Sequence, residues 1–402
     1  MSAAFDLLFG TGSAPRFLAE VYEKRHLHLS GRPADQFGRL LSLSTTEKIL
    51  WAYEAQLRDF VRYHNHGHDV VTPSNVGQMD VLRWIVKEYS RGTTLILNAL
   101  EDRHLPIAQF VRDLELHFGF HISAAAYVTP TGARAFGVHF DTHDVVIAQV
   151  EGSKIYDLYE DTKVPPLPLR RQQSEVTNVE TLTPIATVEM QPGDVLYMPR
   201  GVIHVAKTSH LHSLHITFSL HPHKVSDLAA AAVELAAEAN PALRVSAPND
   251  VTDPVLQALV STLNVALGVS LSADQVLLRQ RQRFVGGLRA LPGQRLIDPP
   301  AVDRLDLDHW VERVAGSTCA IQIVGEELRL GFPGIERMRD ATRSPATLGM
   351  PGALEPAIRF IDEQTGSFQV CSLPGAISDG SKVILAKHLI REGLLQIATE
   401  GR

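Results

Sequence analysis

The order of hydrophobic and polar positions makes the first part of the chain helical. Before about residue 120, apolar residues recur every three to four positions, which is the spacing of amphipathic helices. This spacing predicts helices over 14–21, 44–63, 78–89 and 104–118. Ser44 followed by Glu47 predicts a capping box at the start of the second helix.

From about residue 124 the pattern changes to short runs rich in Val, Ile, Tyr and Phe, with Gly, Pro and Thr turns between them. Such runs predict strands, and they lie at 124–129, 135–140, 144–150, 154–158, 186–190, 194–198 and 213–220. Many short strands at this spacing are typical of a sandwich or barrel. Residues 163–183 contain Pro165, Pro166 and Pro168 and predict a long loop between the two halves of that barrel.

After residue 223 the pattern becomes helical again. Helices are predicted over 226–239, 253–267, 272–284, 352–362 and 379–393, with strands at 318–324 and 327–331. Residues 291–300 have the composition of a linker. The chain therefore predicts an α+β protein with a strand-rich middle region.

Composition and charge narrow the class of protein. The 402 residues are 45% hydrophobic and 21% charged, which suits two or three domains with ordinary cores. The net charge of −7 has no obvious blocks and argues against nonspecific nucleic-acid binding. The two cysteines, Cys319 and Cys371, exclude a disulfide framework. The sequence shows no signal peptide and no apolar run of membrane-spanning length, so we expect a cytoplasmic protein.

Two histidines and an aspartate form a candidate iron site. His139 and Asp141 are separated by one residue on a predicted strand, so both side chains face the same side of the sheet. His204 follows a second strand and turn, GDVLYMPRGVIH, which presents it at the barrel mouth. Two imidazoles and one carboxylate on one face leave coordination positions open, as in Fe(II) oxygenases.

Other histidines are weaker candidates. His143 is two residues beyond Asp141, so it is predicted to face the same side of the strand as His139 and Asp141. It could be a fourth ligand or a substrate contact, although a position at the rim of the active site is favoured. His215 is expected to point into the active site, with a substrate role or a packed core role both open. The string His64–His68 is interpreted as a mobile loop rather than a metal site, and it could line the substrate entrance.

The runs HFDTHDVVIAQVEGSKIYDLYE, QPGDVLYMPRGVIH and HSLHITFSL resemble the JmjC branch of the cupin superfamily. The resemblance covers roughly residues 124–220 and is greatest to the ribosomal oxygenase group, which are 2-oxoglutarate-dependent protein hydroxylases. It implies a double-stranded β-helix, also called a jelly-roll or cupin barrel, with flanking helices. It further implies Fe(II) and 2-oxoglutarate as cofactors.

The resemblance also assigns roles to residues. Lys154 matches the cation that holds the far carboxylate of 2-oxoglutarate, and Ser219 and Tyr127 match positions that offer hydroxyl groups to it. The chain departs from the eukaryotic members at Ala125, where they have asparagine. The pocket chemistry near this residue therefore stays open.

The later regions are similar to the same group's domain plan. It implies a catalytic domain over 1–222, a helical dimerisation domain over 223–292 and a winged-helix-like domain over 293–402, in a homodimer with a protein or peptide substrate. The charge of the C-terminal segment is balanced, so no direct DNA binding is expected, and no membrane partner either. The alternatives are an N-methyl demethylase, a hydroxylase that tailors a peptide natural product, and a non-enzymatic metal-binding cupin.

Overall fold

The computed structural model describes residues 2–77, 80–161, 164–169, 182–208, 210–246, 253–270, 272–292, 299–333 and 347–398. The chain divides into two compact units, 1–222 and 223–402. The further division of the second unit at residue 292 stays a prediction. None of the helices in the described ranges is long and apolar enough to span a membrane.

Six helices belong to the first unit: α1 (Ala3–Phe9), α2 (Ala14–Glu20), α3 (Leu43–Ala52), α4 (Leu57–Phe60), α5 (Val81–Ser90) and α6 (Leu105–Phe118). The helix predicted over 44–63 is interrupted at Tyr53 and is wrong over its last three residues, because a strand begins at Val61. The predicted capping box is also wrong. Ser42 caps α3 instead, since its hydroxyl accepts a hydrogen bond from the backbone N–H of Thr45.

Eleven named strands of the first unit form two antiparallel sheets. They are β1 (Leu27–Leu29), β2 (Val61–Asn65), β3 (His68–Asp69), β4 (Thr94–Leu97), β5 (His121–Thr129), β6 (Asp144–Gly152), β7 (Lys154–Tyr159), β8 (Ala186–Met190), β9 (Val195–Met198), β10 (Ile203–Lys207) and β11 (Ser213–His221). The large sheet has the order β1-β9-β6-β11-β5-β4-β2-β3, and the small sheet has the order β10-β7-β8.

The two faces of the large sheet pack against different partners. Even-numbered side chains of β5 and β11, such as Ile122 and Phe218, join the core formed with the helices. Residues on the other face pack against the small sheet in one cluster, listed here from both sheets: Val145, Ile147, Tyr156, Leu158, Val188, Met190, Leu196 and Met198. Two facing antiparallel sheets with helices outside confirm the predicted α+β jelly-roll barrel.

The predicted strand over 135–140 is wrong. His139 forms a single isolated bridge with His204, and the surrounding residues belong to no named strand. Backbone groups of this segment are bonded elsewhere: the N–H of Ala133 donates to the side chain of Thr208, and the N–H groups of His66 and Gly67 donate to residues 134 and 135. Most of the predicted loop at 163–183 lies outside the described residues.

The histidine string at 64–68 is a β-hairpin rather than the mobile loop we expected. Strands β2 and β3 pair through His64 with Asp69 and Asn65 with His68. The imidazole of His64 lies 2.8 Å from the carboxylate of Asp69 and packs on the ring of Phe136 at 4.3 Å between centroids. The ring contact and the two backbone bonds from its tip hold this hairpin against the 134–137 segment, and the contact between His64 and Asp69 joins its two strands.

The second unit begins with three helices, α7 (Val225–Ala239), α8 (Asp253–Ser270) and α9 (Ala273–Gly287). The remaining named elements are α10 (Pro299–Asp303), β12 (Trp310–Arg313), β13 (Ala320–Val324), β14 (Glu327–Gly331), β15 (Thr347–Pro351), α11 (Glu355–Glu363), β16 (Phe368–Gln369), α12 (Asp379–Glu392) and β17 (Leu395–Ile397). They form two three-stranded sheets with the orders β16-β12-β17 and β13-β14-β15. The sequence pattern missed β12, β15, β16 and β17, which are only two to five residues long.

Candidate active site

His139, Asp141 and His204 lie together at the edge of the barrel. Each offers one ligand atom, and these atoms all lie within 4.8 Å of one another. The Nε2 atom of His204 is 3.9 Å from a carboxylate oxygen of Asp141, and the two imidazole centroids are 4.3 Å apart. His139 and His204 also exchange two backbone hydrogen bonds, of 3.1 and 2.8 Å. The main chain therefore sets the approach of the two histidines.

Backbone carbonyls orient both imidazoles. The Nδ1 atom of His139 lies 2.9 Å from the carbonyl oxygen of Gly137, and the Nδ1 atom of His204 lies 3.1 Å from that of Val202. A carbonyl can only accept, so Nδ1 carries the proton in each ring and Nε2 carries the lone pair. Nitrogen and carboxylate donors in this arrangement fit a divalent metal such as Fe(II), Mn(II) or Ni(II).

A cavity extends from this cluster into the barrel. Its walls come from strands of both sheets and from the irregular 135–141 segment, and the lining residues are Tyr127, Ala135, Phe136, His139, Asp141, Val145, Ile147, Lys154, Tyr156, Met198, His204, Ala206, His215 and Thr217. The lining includes Lys154 and Tyr127, both of which the sequence assigned to the pocket.

The amino group of Lys154 lies inside this cavity. Its side chain is only 2% exposed, and its Nζ atom donates a 3.1 Å hydrogen bond to the hydroxyl of Thr129. Burial lowers the pKa of Lys154 to about 7, because the charged form loses its hydration. Among the described side chains, no carboxylate lies within ion-pair distance of this ammonium. A buried ammonium with only one neutral partner suits an anionic ligand.

His215 lies beside Lys154. Its ring stacks on Tyr127, with centroids 4.8 Å apart and an angle of 11° between the planes. Its Nε2 atom lies 3.5 Å from the hydroxyl of Tyr156. Its buried Nδ1 atom has no hydrogen-bond partner within the described part of the chain. Burial and the charge of Lys154 lower the pKa of His215, so the imidazole is neutral at physiological pH.

The other sequence candidates lie outside this lining. Ser219 is two residues beyond Thr217 on β11, and Thr217 rather than Ser219 borders the cavity. Ala125 pairs with Thr217 across β5 and β11, on the same face as Tyr127. His143 is not among the lining residues, and its ring is 5.3 Å from that of His221.

Sequence reasoning did not find Thr129, the hydrogen-bond partner of Lys154, or Phe136 in the cavity wall. Thr129 could have been found, because it has the same parity as Tyr127 on β5. Phe136 had no such signal. Its position in the wall depends on the hairpin that packs on it.

Comparison with known proteins supports this interpretation. Residues 102–228 match the family model of the JmjC domain. The chain therefore contains a JmjC domain. The sequence resemblance to JmjC oxygenases is thus confirmed for the region that contains His139, Asp141, Lys154 and His204.

Two relatives illustrate the extent of the sequence similarity. The bifunctional lysine-specific demethylase and histidyl-hydroxylase NO66 of Dictyostelium discoideum is 37% identical over 134 residues, which cover 33% of this chain and 26% of the relative. Ribosomal oxygenase 2 of Bos taurus is 32% identical over 199 residues, which cover 48% of this chain and 40% of the relative. The matches thus span less than half of these relatives' length.

A solved structure supports the fold over the whole chain. The ribosomal oxygenase YcfD of Escherichia coli superimposes with a TM-score of 0.55 at 15% identity, covering 96% of this chain and 98% of that one. At this identity the likeness concerns the fold alone.

Proposed function

We propose that this protein is an Fe(II)- and 2-oxoglutarate-dependent dioxygenase that hydroxylates an amino-acid side chain of a protein substrate. One observation carries the proposal: a single cavity contains both a two-histidine, one-carboxylate cluster and the buried, carboxylate-free ammonium of Lys154. A ligand that both chelates a metal and carries a second carboxylate satisfies both groups. 2-Oxoglutarate is such a ligand.

In this proposal His139, Asp141 and His204 hold the metal through three positions and leave the others open. The two backbone carbonyls that fix the Nδ1 protons keep both Nε2 lone pairs directed to the metal, so little reorganisation is needed on binding. When bound, iron and 2-oxoglutarate supply the oxidising chemistry, in which O₂ and 2-oxoglutarate become succinate, carbon dioxide and one oxygen atom inserted into a substrate C–H bond.

Lys154 binds the far carboxylate of 2-oxoglutarate in its protonated form. Thr129 fixes the direction of the ammonium, and the ring of Tyr127 lies 5.8 Å from Nζ, where it excludes water from one side. The surrounding Val145, Ile147 and Met198 are apolar, so the ion pair forms in a poorly hydrated site and is stronger than in water. Ser219 stays a weaker candidate for a contact to the cosubstrate.

The relatives suggest the substrate class. Their names describe histidyl-hydroxylases, ribosomal oxygenases and a lysine-specific demethylase. We therefore propose a side chain of a ribosomal protein as substrate and hydroxylation as the reaction. Demethylation at the same site is the second candidate, because the relatives named NO66 carry both activities in their name.

The activity is tested by measuring succinate from 2-oxoglutarate with purified protein, Fe(II) and O₂, and by searching ribosomal proteins for gains of one oxygen atom. The wild type should produce succinate and a modified protein, whereas Asp141→Ala should produce neither. Formaldehyde release from a methylated peptide would favour demethylation. Absence of succinate with every ribosomal fraction would favour a non-enzymatic cupin.

We also propose that the protein forms a homodimer through residues 223–292. In that region Leu256, Val260 and Val265 of α8 are exposed by 51%, 48% and 65%, and Leu277 of α9 by 57%. Apolar side chains that recur along a helix at this exposure favour contact with a second copy. Light scattering should give the mass of two chains at micromolar concentration, and a monomer would contradict the proposal. The cytoplasmic location stays a prediction.

A further inference from the structure

A network of charged side chains lies outside the cavity lining, on the chain segments next to His139, Asp141 and His204. Asp144 is fully buried. One of its carboxylate oxygens accepts a 2.8 Å bond from the hydroxyl of Tyr197. The other accepts two 3.0 Å bonds from Arg200, one from its backbone N–H and one from its guanidinium. All donors of this carboxylate thus come from β9 and the turn after it.

The same network reaches the turn that follows α2. The guanidinium of Arg200 donates a 2.6 Å bond to the carboxylate of Glu23, and the backbone N–H of Glu23 donates a 2.8 Å bond to the hydroxyl of Tyr197. Glu23 adopts a φ of 57°, in the left-handed region that a residue with a side chain rarely occupies. The surrounding contacts therefore hold this residue in place.

The network connects the two segments that carry the metal ligands. Asp144 begins β6 just after Asp141, and Arg200 precedes His204 in the Pro-Arg-Gly turn. The N–H of Gly201, next to Arg200, donates a 3.0 Å bond to the carbonyl oxygen of Asp141. The Arg200–Asp144 pair and this backbone bond therefore both join the segment of Asp141 to the segment of His204.

A gain in folding free energy alone does not explain the buried pair of Arg200 and Asp144. A buried ion pair gains little net free energy, because burial removes both charges from water, and apolar residues of similar volume often serve as well. A guanidinium that binds two carboxylates at fixed geometry does define where two chain segments lie.

We propose that Arg200 is a positioning residue for the metal centre, and that Asp144 and Glu23 hold it in place. This inference rests on the proposed metal site. The network sets the distance between the Asp141 and His204 segments, so weakening it lowers the affinity for the metal ion without removing a ligand.

The test compares two buried arginines in the full-length protein. Arg200→Met removes the guanidinium and keeps the bulk. Arg112→Met is the matched control, since Arg112 is 4% exposed and its Nε atom lies 3.3 Å from the carboxylate of Glu115, within the same helix α6. Both variants should lower the unfolding temperature. Mn(II) alone is titrated into metal-stripped protein by calorimetry, at a temperature where circular dichroism shows each variant folded.

We expect Arg200→Met to bind Mn(II) about 10-fold more weakly than wild type, the lower end of the losses seen when direct partners of metal ligands are removed, because Arg200 acts on the ligands only through Asp144 and the backbone. Arg112→Met should bind Mn(II) as wild type does. Glu23→Gln keeps the Arg200–Asp144 pair and should bind Mn(II) about 3-fold more weakly than wild type. This variant replaces Arg200→Met in the test if Arg200→Met does not fold. If Arg200→Met folds and binds Mn(II) as wild type does, the positioning role is overturned and the metal site stands. If Arg200→Met does not fold, wild-type affinity in Glu23→Gln overturns the positioning role in the same way. Equal losses in both arginine variants overturn it too. Wild type that binds no Mn(II) overturns the metal site itself.

Discussion

The cavity is bounded by two parts that are built in different ways. Around Lys154, the side chains stand on paired strands: Tyr127 and His215 face each other across β5 and β11, and Lys154 begins β7. Around the metal cluster, His139 and Asp141 lie on a segment that belongs to no strand, and a single bridge joins this segment to β10. One part depends on sheet register and the other on individual contacts.

The two parts of the cavity should therefore respond differently to amino-acid substitutions. A strand places a side chain through many ladder hydrogen bonds, so no single substitution moves it far. The segment around His139 and Asp141 instead depends on individual contacts at its two ends: Ala133 bonds to Thr208, residues 134 and 135 bond to the tip of the histidine hairpin, and Asp144 bonds to Arg200. We therefore expect substitutions near Lys154 to change binding through lost chemistry, and substitutions near the metal cluster to change it through lost geometry as well.

The largest effect should come from removing a ligand. Asp141→Ala or His139→Ala leaves two ligands where three are needed, so Mn(II) affinity should fall by about 100-fold or more and succinate formation should be lost. His143→Ala is the control, because His143 lies two residues further along but outside the cavity lining. If Asp141→Ala kept full turnover, the metal assignment would be wrong.

The next effect tests the strand-built part. Lys154→Met removes the ammonium that binds the far carboxylate, a charge-assisted interaction of about 2 kcal/mol, so the Kd for 2-oxoglutarate should rise about 30-fold. Mn(II) affinity without 2-oxoglutarate should not change, because the strand register is kept. Calorimetry measures both constants.

Lys154→Met should also leave the ligand-free protein as stable as wild type or more stable, since it removes a buried charge that has no carboxylate partner. A large loss of Mn(II) affinity in this variant would show that the two parts of the cavity are not separate.

The protonation of Lys154 predicts a pH dependence. Burial lowers its pKa to about 7 in the ligand-free protein, whereas the bound carboxylate stabilises the charged form. Above pH 7 binding must therefore take up a proton, and 2-oxoglutarate affinity should fall by up to about 10-fold per pH unit. Lys154→Arg, which stays charged, should bind with little dependence on pH over the same interval. Equal slopes for wild type and Lys154→Arg would contradict this role for Lys154.

The ionisation of Lys154 also makes the free energy of unfolding depend on pH. Below pH 7 both the folded and the unfolded chain carry the proton, so stability does not change through Lys154. Between pH 7 and its ordinary value of 10.5 only the unfolded chain binds the proton, so the contribution of Lys154 to the stability of the ligand-free protein rises with pH. Urea unfolding of wild type against Lys154→Met at pH 7 and pH 9 measures this difference.

The smallest effect tests the contacts that hold the metal segment. Gly67 at the hairpin tip has a φ of 89°, and a Cβ there would lie 3.3 Å from the backbone nitrogen of Gly137. Gly67→Ala should therefore press on the segment before His139 and raise the Kd for Mn(II) by about 3-fold. Gly92 is the matched control, with a φ of 92° and nothing within 4 Å of its Cβ position.

Both glycine variants should lose about 1 kcal/mol of stability from backbone strain. Only Gly67→Ala should change metal binding. The same Mn(II) affinity in both variants would show that the hairpin does not support the metal segment.

The contrast between the two parts also explains which features could be predicted from the sequence. The family resemblance assigned Tyr127 and Lys154 to the pocket, and the parity of Lys154 on β7 and of His215 on β11 agreed with an inward direction, because side-chain parity is a local property. The candidate ligands His139, Asp141 and His204 lie close together, yet the strand predicted to carry two of them does not form. Its backbone partners at 66, 67 and 208 are remote in the sequence, so no local pattern shows them.

The remaining differences have the same cause. Ser42 rather than Ser44 caps α3, because the helix begins at Leu43 and Ser44 already lies within its first turn. Thr217 rather than Ser219 borders the cavity, although both share one parity on β11. Parity predicts which face a residue occupies, and tertiary contacts determine how far along the strand the cavity extends.

The central claim is that one cavity binds a metal ion through His139, Asp141 and His204 and binds 2-oxoglutarate through that ion and Lys154. A crystal structure with Mn(II) and 2-oxoglutarate tests it directly. The account predicts an ion about 2.2 Å from the Nε2 atoms of both histidines and from the carboxylate of Asp141, and the far carboxylate about 3 Å from Nζ of Lys154. An ion bound elsewhere, or a 2-oxoglutarate whose far carboxylate does not reach Lys154, would contradict it.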